Sequence, residues 1–193
     1  MKQNKIAVTG GIGSGKSTVC KILKGKGFPV FSCDEVYAEL LANGSILSEL
    51  VKAFGTKILD GNGNLDRKKT SQIVFADESK RQLLNKITHT KIFEEIFRRA
   101  EGINDIVFFE VPLLFEGNYQ GLFDNVIVVL RDKKSRVESL IERDGLTEED
   151  IEKRIQKQYN YDNNDFAEYY VIHNDGNFTD LCDIINDLLL KIA

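Results

Sequence analysis

This sequence is poor in the residues that staple, hinge or export a chain. Its 193 residues include three cysteines, two prolines, two histidines and one methionine. Cys20, Cys33 and Cys182 are odd in number, widely spaced and never form a Cys-x-x-Cys pair. That excludes a disulfide framework and a zinc ribbon, so the cysteines are expected to be reduced packing residues. With only Pro29 and Pro112, no segment has the composition of a domain hinge, and there is no repeat or low-complexity tract. Excess positive charge is missing too: 26 Lys and Arg face 30 Asp and Glu, a net charge of −4, which argues against a general nucleic-acid coat protein. No apolar run approaches a bilayer span, and the start, through Ile6, Ala7 and Val8, falls short of a signal-peptide core. The expectation is a cytoplasmic protein with neither membrane nor nucleic acid as partner.

What is present describes an ordinary globule, 42% apolar and 29% charged. One domain over 1–193 is the simplest count, and a domain of this length buries roughly 70% of the surface its unfolded chain exposes. Short apolar runs recur at Ile6 to Val8, Pro29 to Phe31, Ile106 to Phe109, Val126 to Leu130 and Tyr169 to Ile172. Each is too short for a buried helix and is followed by helical spacing, which predicts a five-stranded parallel sheet flanked by helices in three layers. Roughly 33–103 reads as a helical insertion, because Leu83, Leu84, Ile87, Phe93, Ile96 and Phe97 recur at three- and four-residue intervals. Ser32-Cys33-Asp34-Glu35 has the form of a capping box, and Thr147 to Asp150 opens a further helix in the same way. The polar stretch 156–165, with two tyrosines, suits a mobile hairpin. Asp60-Gly61-Asn62-Gly63-Asn64 lacks the Gly and Glu that a calcium loop needs at Leu65 and Ser71, so it is read as a tight turn.

The strongest local signal follows the first strand. Gly10-Gly11-Ile12-Gly13-Ser14-Gly15-Lys16-Ser17-Thr18 matches Gly-x-x-x-x-Gly-Lys-Ser between a predicted strand and a predicted helix, the context that a P-loop requires. Its glycines let successive N–H groups turn toward phosphate oxygens, and the positive end of the helix adds to that field. Lys16 is expected on the terminal phosphates and Ser17 on Mg²⁺, with Glu110, at the end of the third strand, as a second metal-site candidate. A GTP switch should also carry Asn-Lys-x-Asp, but Asn85-Lys86 is followed by Ile87-Thr88. From these residues alone, a kinase for a small metabolite or nucleoside and a non-catalytic nucleotide-binding switch both stay open.

Further segments bear on that choice. Cys33-Asp34, Phe54-Gly55, Leu65-Asp66-Arg67, Val74-Phe75, His89, Val111-Pro112-Leu113-Leu114-Phe115-Glu116, Gln158 and Val171-Ile172-x-Asn174-x-Gly176, together with the P-loop, resemble the dephospho-CoA kinase family. The resemblance implies a P-loop NTPase-like fold with a helical acceptor-binding insertion and a lid near 140–166 inside a core of 1–32 and 104–193. It implies transfer of a phosphoryl group from ATP, with Mg²⁺, to the 3′-hydroxyl of dephospho-CoA, the last step of coenzyme A biosynthesis. It also implies site roles. ATP would contact Gly11, Ile12, Gly13, Ser14, Gly15, Lys16, Ser17, Thr18, Arg143, Asn174 and Gly176. Asp34 and Lys16 would be catalytic. The acceptor would meet Asp34, Arg67, His89 and an apolar wall of Pro112, Leu113, Leu114 and Phe115. Where the family has Gln and Arg, this chain has Arg136 and Ser139. Arg136 and Arg143, seven apart, share one helical face, and Arg136 is expected to supply the guanidinium that Ser139 lacks.

Overall fold

The computed structural model describes residues 3–75 and 77–192. Residues 1, 2, 76 and 193, counted in the 1–193 reading, lie outside the described residues, as does the side chain of Phe75. In chain order the elements are β1 (Asn4–Thr9), α1 (Lys16–Gly25), β2 (Val30–Ser32), α2 (Cys33–Ala42), α3 (Ser45–Phe54), α4 (Arg67–Phe75), α5 (Glu78–Ala100), β3 (Ile106–Glu110), β4 (Asn125–Leu130), α6 (Lys133–Asp144), α7 (Glu148–Gln156), β5 (Tyr170–His173) and α8 (Phe178–Ile192). They divide into two compact units, Met1–Phe31 with Gly102–Ala193, and Ser32–Glu101.

The first unit is built on a five-stranded sheet in the order β2-β3-β1-β4-β5, with β1–β3, β1–β4 and β4–β5 all parallel. Every residue of the run Ile6, Ala7, Val8 and Thr9 is fully buried, as expected when both faces of a strand are covered. Ile6 and Val8 join Phe108, Ile127, Val129 and Ile172 against Val19, Cys20 and Leu23 of α1 and Leu181, Ile185 and Leu188 of α8. On the other parity, Phe109 packs on Phe31 and Phe123, with ring centroids 5.8 and 5.6 Å away. Each of these buried large side chains contributes about 1.5–3 kcal/mol relative to exposure. Because β1 lies between β3 and β4, the chain leaves the sheet in opposite directions on its two sides, and the crevice beyond the carboxyl end of β1 is where such sheets take ligands. The register Val8↔Glu110 puts the last residue of β3 beside that end.

Two local expectations are corrected here. Thr147 does cap α7, accepting from the Asp150 N–H at 3.2 Å. Ser32, at the start of α2, makes no side-chain capping hydrogen bond, so the capping box its spacing suggests does not form. The stretch 156–165 is a series of turns rather than a hairpin, because its aromatic groups find the core instead of each other's backbone. Tyr161 and Phe166 are buried, and both pack with Tyr159 and Tyr169 around Phe115, at centroid distances of 5.0 to 6.0 Å from its ring.

The second unit is helical. Its Asp60 to Asn64 segment is the expected tight turn, with the Asp60 carboxylate accepting from the Asn62 and Asn64 N–H groups at 2.8 and 2.9 Å. In α5, Phe93 and Ile96 are buried while Leu83 is exposed, so only the second half of the periodic face enters the core.

Candidate active site

The cradle forms where β1 hands over to α1. Gly15, the residue before the helix, is left-handed at φ 94°, and an added Cβ would lie 2.1 Å from Nδ2 of Asn174. Glycine satisfies both demands. The Lys16 Nζ donates to the carbonyls of Gly10 and Gly11 at 2.7 and 3.1 Å, which holds the ammonium over the loop. Ser17 Oγ donates to Glu110 Oε1 at 2.9 Å, so the hydroxyl and the strand-end carboxylate meet as the sheet register requires. A hydroxyl beside a carboxylate is the oxygen donor set that a hard divalent cation takes. Among the described residues no cluster of three or more His, Cys, Asp or Glu could hold a metal by itself.

Asn174 secures the loop from β5. Its N–H donates to the Leu130 carbonyl at 2.8 Å and its Nδ2 to the Ser14 carbonyl at 2.9 Å. Gly176 is exposed in the turn before α8. Ser14 is buried and its N–H donates to the Gly11 carbonyl at 3.2 Å, while the Thr18 N–H is spent on the Gly15 carbonyl at 2.9 Å. The Ile12 N–H donates to Gln158 Oε1 at 2.8 Å. The loop therefore does not aim every amide inward: those of Ile12, Ser14 and Thr18 are committed to protein acceptors. Those of Gly13, Gly15 and Ser17 make no backbone hydrogen bond among the described residues.

Arg136 and Arg143 part company although they share α6. Arg136 is 3% exposed, its Nη2 is 2.8 Å from both carboxylate oxygens of Asp162, and a Cβ on Gly11 would lie 2.7 Å from its Nη1. Its guanidinium thus sits against the start of the loop. Arg143, expected on the triphosphate, is exposed and forks onto the adjacent Asp144 at 2.8 and 2.7 Å. The last turn of the helix gives it a nearer carboxylate than any loop oxygen. Ser139 accepts from Arg131 Nη1 at 2.7 Å.

The four-residue wall is also revised. Leu114 is fully buried and Phe115 is the centre of the aromatic cluster, so these two belong to the core, which an apolar run in a loop cannot reveal. Leu113 is 40% exposed and Pro112 is half-buried.

The remaining expected site residues lie in the second unit. Asp34 is exposed in the first turn of α2. Arg67 opens α4 and is exposed; its charge opposes the rise that burial produces in the Tyr37 hydroxyl's pKa. His89 is half-buried in α5, its ring 6.4 Å from that of Phe93, and burial lowers its pKa below the ordinary value. Two contacts escaped the sequence reading. Tyr161 Oη shares a hydrogen bond of 3.2 Å with buried Thr9 Oγ1, and burial raises its pKa. Glu116 Oε1 accepts from the Tyr159 N–H at 2.9 Å. Neither follows a helical or strand period; the resemblance quoted Glu116 and Gln158 without a reason for them.

Comparison with known proteins extends this geometry over the whole chain. The dephospho-CoA kinase family model (CoaE) matches residues 4–180. A dephospho-CoA kinase from Fusobacterium nucleatum is 40% identical over 177 residues, covering 91% of this chain and 92% of that one. Among solved structures, TT1252 from Thermus thermophilus superposes with a TM-score of 0.83 at 29% identity over the full length of both chains. A dephospho-CoA kinase from Campylobacter jejuni superposes with a TM-score of 0.63 at 26% identity, over 98% of this chain and 97% of that one.

Proposed function

We infer the reaction from one premise: the chain belongs to the dephospho-CoA kinase family. It is a kinase that transfers a phosphoryl group from ATP to dephospho-CoA in coenzyme A biosynthesis. The observation that carries the reading into residues is the loop itself, with Lys16 held 2.7 Å from the Gly10 carbonyl and Ser17 on Glu110.

Phosphoryl transfer passes through a loose transition state, so the protein's work is positioning and charge stabilisation. In our reading the amides of Gly13, Gly15 and Ser17 and the ammonium of Lys16 receive the phosphate oxygens. Ser17 and Glu110 would hold Mg²⁺, which supplies charge neutralisation on the phosphates when bound. Asp34 orients the ribose 3′-hydroxyl and takes its proton, Arg67 and His89 are acceptor contacts on the helical unit, and Pro112 and Leu113 are acceptor contacts on the sheet unit. Arg136 needs no rearrangement to lie beside the loop, whereas Arg143 must first leave Asp144. Residues 140–166 act as the lid over ATP.

A coupled assay for ADP, run with ATP, Mg²⁺ and dephospho-CoA and repeated without the acceptor, tests this. Release should depend on dephospho-CoA; dependence on a nucleoside instead would point to a nucleoside kinase. Lys16→Ala should lower turnover by at least about 100-fold, the scale of a lost charge-stabilising donor. Asp34→Asn should lower kcat by at least about tenfold, a low bound for acid–base catalysis, and near-normal turnover there would remove Asp34 from the catalytic set.

A further inference from the structure

Residues 158–162 touch the phosphate loop or its surroundings at nearly every position. Gln158 Oε1 takes the Ile12 N–H at 2.8 Å. The Tyr159 N–H is given to Glu116 Oε1 at 2.9 Å, at the end of the Pro112–Glu116 segment. Tyr161 meets Thr9, and Asp162 holds Arg136, whose guanidinium lies against Gly11. Ile12 is gripped a second way, because its side chain packs on the cluster of Val137, Leu140 and Ile151 between α6 and α7. The tip of the loop is therefore fixed by side chains from elements more than a hundred residues away as well as by its own turn, in which the Ser14 N–H meets the Gly11 carbonyl.

An amide that points sideways is as consequential as one that points inward. If the part-buried Ile12 N–H lost its acceptor, the donor would be left without its protein partner, and the loop would relax to find another at the expense of its alignment. We propose that Gln158 is a positioning residue for nucleotide binding: its side-chain carbonyl holds Ile12 aside so that the neighbouring amides keep their inward aim. Glu116 fixes Gln158 in turn by holding the next residue's N–H. This makes Glu116 a mechanical link between the segment that carries Pro112 and exposed Leu113 and the nucleotide loop. The inference rests on reading residues 10–18 as the ATP cradle.

The test uses the full chain with saturating dephospho-CoA, measuring ATP KM and kcat by turnover and ATP Kd by calorimetry, with melting curves as the folding control. Gln158→Met should raise ATP KM and Kd about tenfold, the scale of one lost buried hydrogen bond, with kcat within about threefold of the parent. Glu116→Met should raise ATP KM about threefold to tenfold, while Glu116→Gln, which keeps an acceptor oxygen, should stay within about twofold. Because the two residues act in series, Gln158→Met with Glu116→Met should cost no more than Gln158→Met alone. Unchanged ATP affinity in a folded Gln158→Met variant overturns the proposal, as do equal effects of the two Glu116 substitutions or effects that multiply in the double variant. If Gln158→Met does not fold, the Glu116 pair decides alone. A parent chain that neither binds nor turns over ATP overturns the cradle reading and the proposal with it; an active parent with an unmoved Gln158→Met variant overturns this proposal only.

Discussion

The sheet unit and the helical unit hold their polar side chains by different means. Around the phosphate loop the hydrogen bonds join residues far apart in the chain: Ser17 to Glu110, Ile12 to Gln158, and Ser14 to Asn174, separated by 93, 146 and 160 positions. In the helical unit most ion pairs lie one turn apart, as in Lys69–Asp66, Arg81–Glu78 and Arg98–Glu95, while Arg99–Glu39 and Lys91–Glu49 tie α5 to α2 and α3. Fixed dipoles stabilise a developing charge only if they need not reorganise, and a web anchored at distant points resists reorganisation. Exposed pairs one turn apart support a helix by a few tenths of a kcal/mol and leave their neighbours free to move. The difference matches the work proposed for each region: one would hold a small anionic group that is always the same, the other would offer exposed Asp34 and Arg67 to a larger acceptor.

Two glycines in equivalent helix-start positions break that comparison or sustain it with the largest expected effect. Gly15 precedes α1 at φ 94° and Gly44 precedes α3 at φ 76°, both left-handed. Around Gly44 an added Cβ meets nothing within 4 Å, whereas at Gly15 it meets Asn174 Nδ2 at 2.1 Å. Gly44→Ala should therefore cost about 1–2 kcal/mol of stability from backbone strain alone and leave ATP binding unchanged. Gly15→Ala adds displacement of Asn174, so ATP binding should fall by at least about 100-fold, since the donors that pre-organise such sites carry this much. Denaturation midpoints and ATP calorimetry on both variants decide it; equal losses of binding would mean that the loop is no more constrained than the helical unit.

A smaller contrast lies within one helix. Arg136→Ala removes a buried guanidinium beside Gly11 and strands Asp162, whereas Arg143→Ala frees only the exposed Asp144. The first should raise ATP KM at least about tenfold, as loss of a charged hydrogen-bonding group does, and the second by less than about threefold. Steady-state kinetics on the pair would reverse the assignment if Arg143→Ala proved the more damaging.

Much of the sheet unit was legible in the residues because its rules are local. Val8, Phe108 and Val128 sit in apolar runs that name their strands, and the spacing from Gly10 to Ser17 names the loop. Glu110 could be named as a candidate because it ends the third apolar run, but its place beside Ser17 depended on β3 lying next to β1, which the register Val8↔Glu110 supplies. The rest was not legible for a physical reason. Leu114 and Phe115 look like an exposed apolar wall until the chain returns, more than forty residues later, with the rings of Tyr159 and Tyr161. The Arg143–Asp144 pair and the uncapped Ser32 are choices among local partners of similar energy, which spacing does not rank.

The mildest effect concerns the ion pairs of α5. Arg98, and then Arg99, hold the Glu95 carboxyl at a pKa of about 2, below its ordinary value of 4.5, through hydrogen bonds of 2.8 Å. An unfolded chain would bind a proton there before the folded one does, so the stability that this group contributes is complete above pH 4.5 and is lost as pH falls toward 2. Glu95→Gln forgoes that contribution at neutral pH and has nothing to lose in acid. Hydrogen-exchange protection in α5 should be higher for the parent at pH 7, and the gap should close between pH 4.5 and about 2, while protection in β1 follows the same course in both proteins. A gap that closes equally in β1 would mean that the helical unit's local pairs stabilise the sheet as well, and the division of labour between distant and local bonds would have to be abandoned.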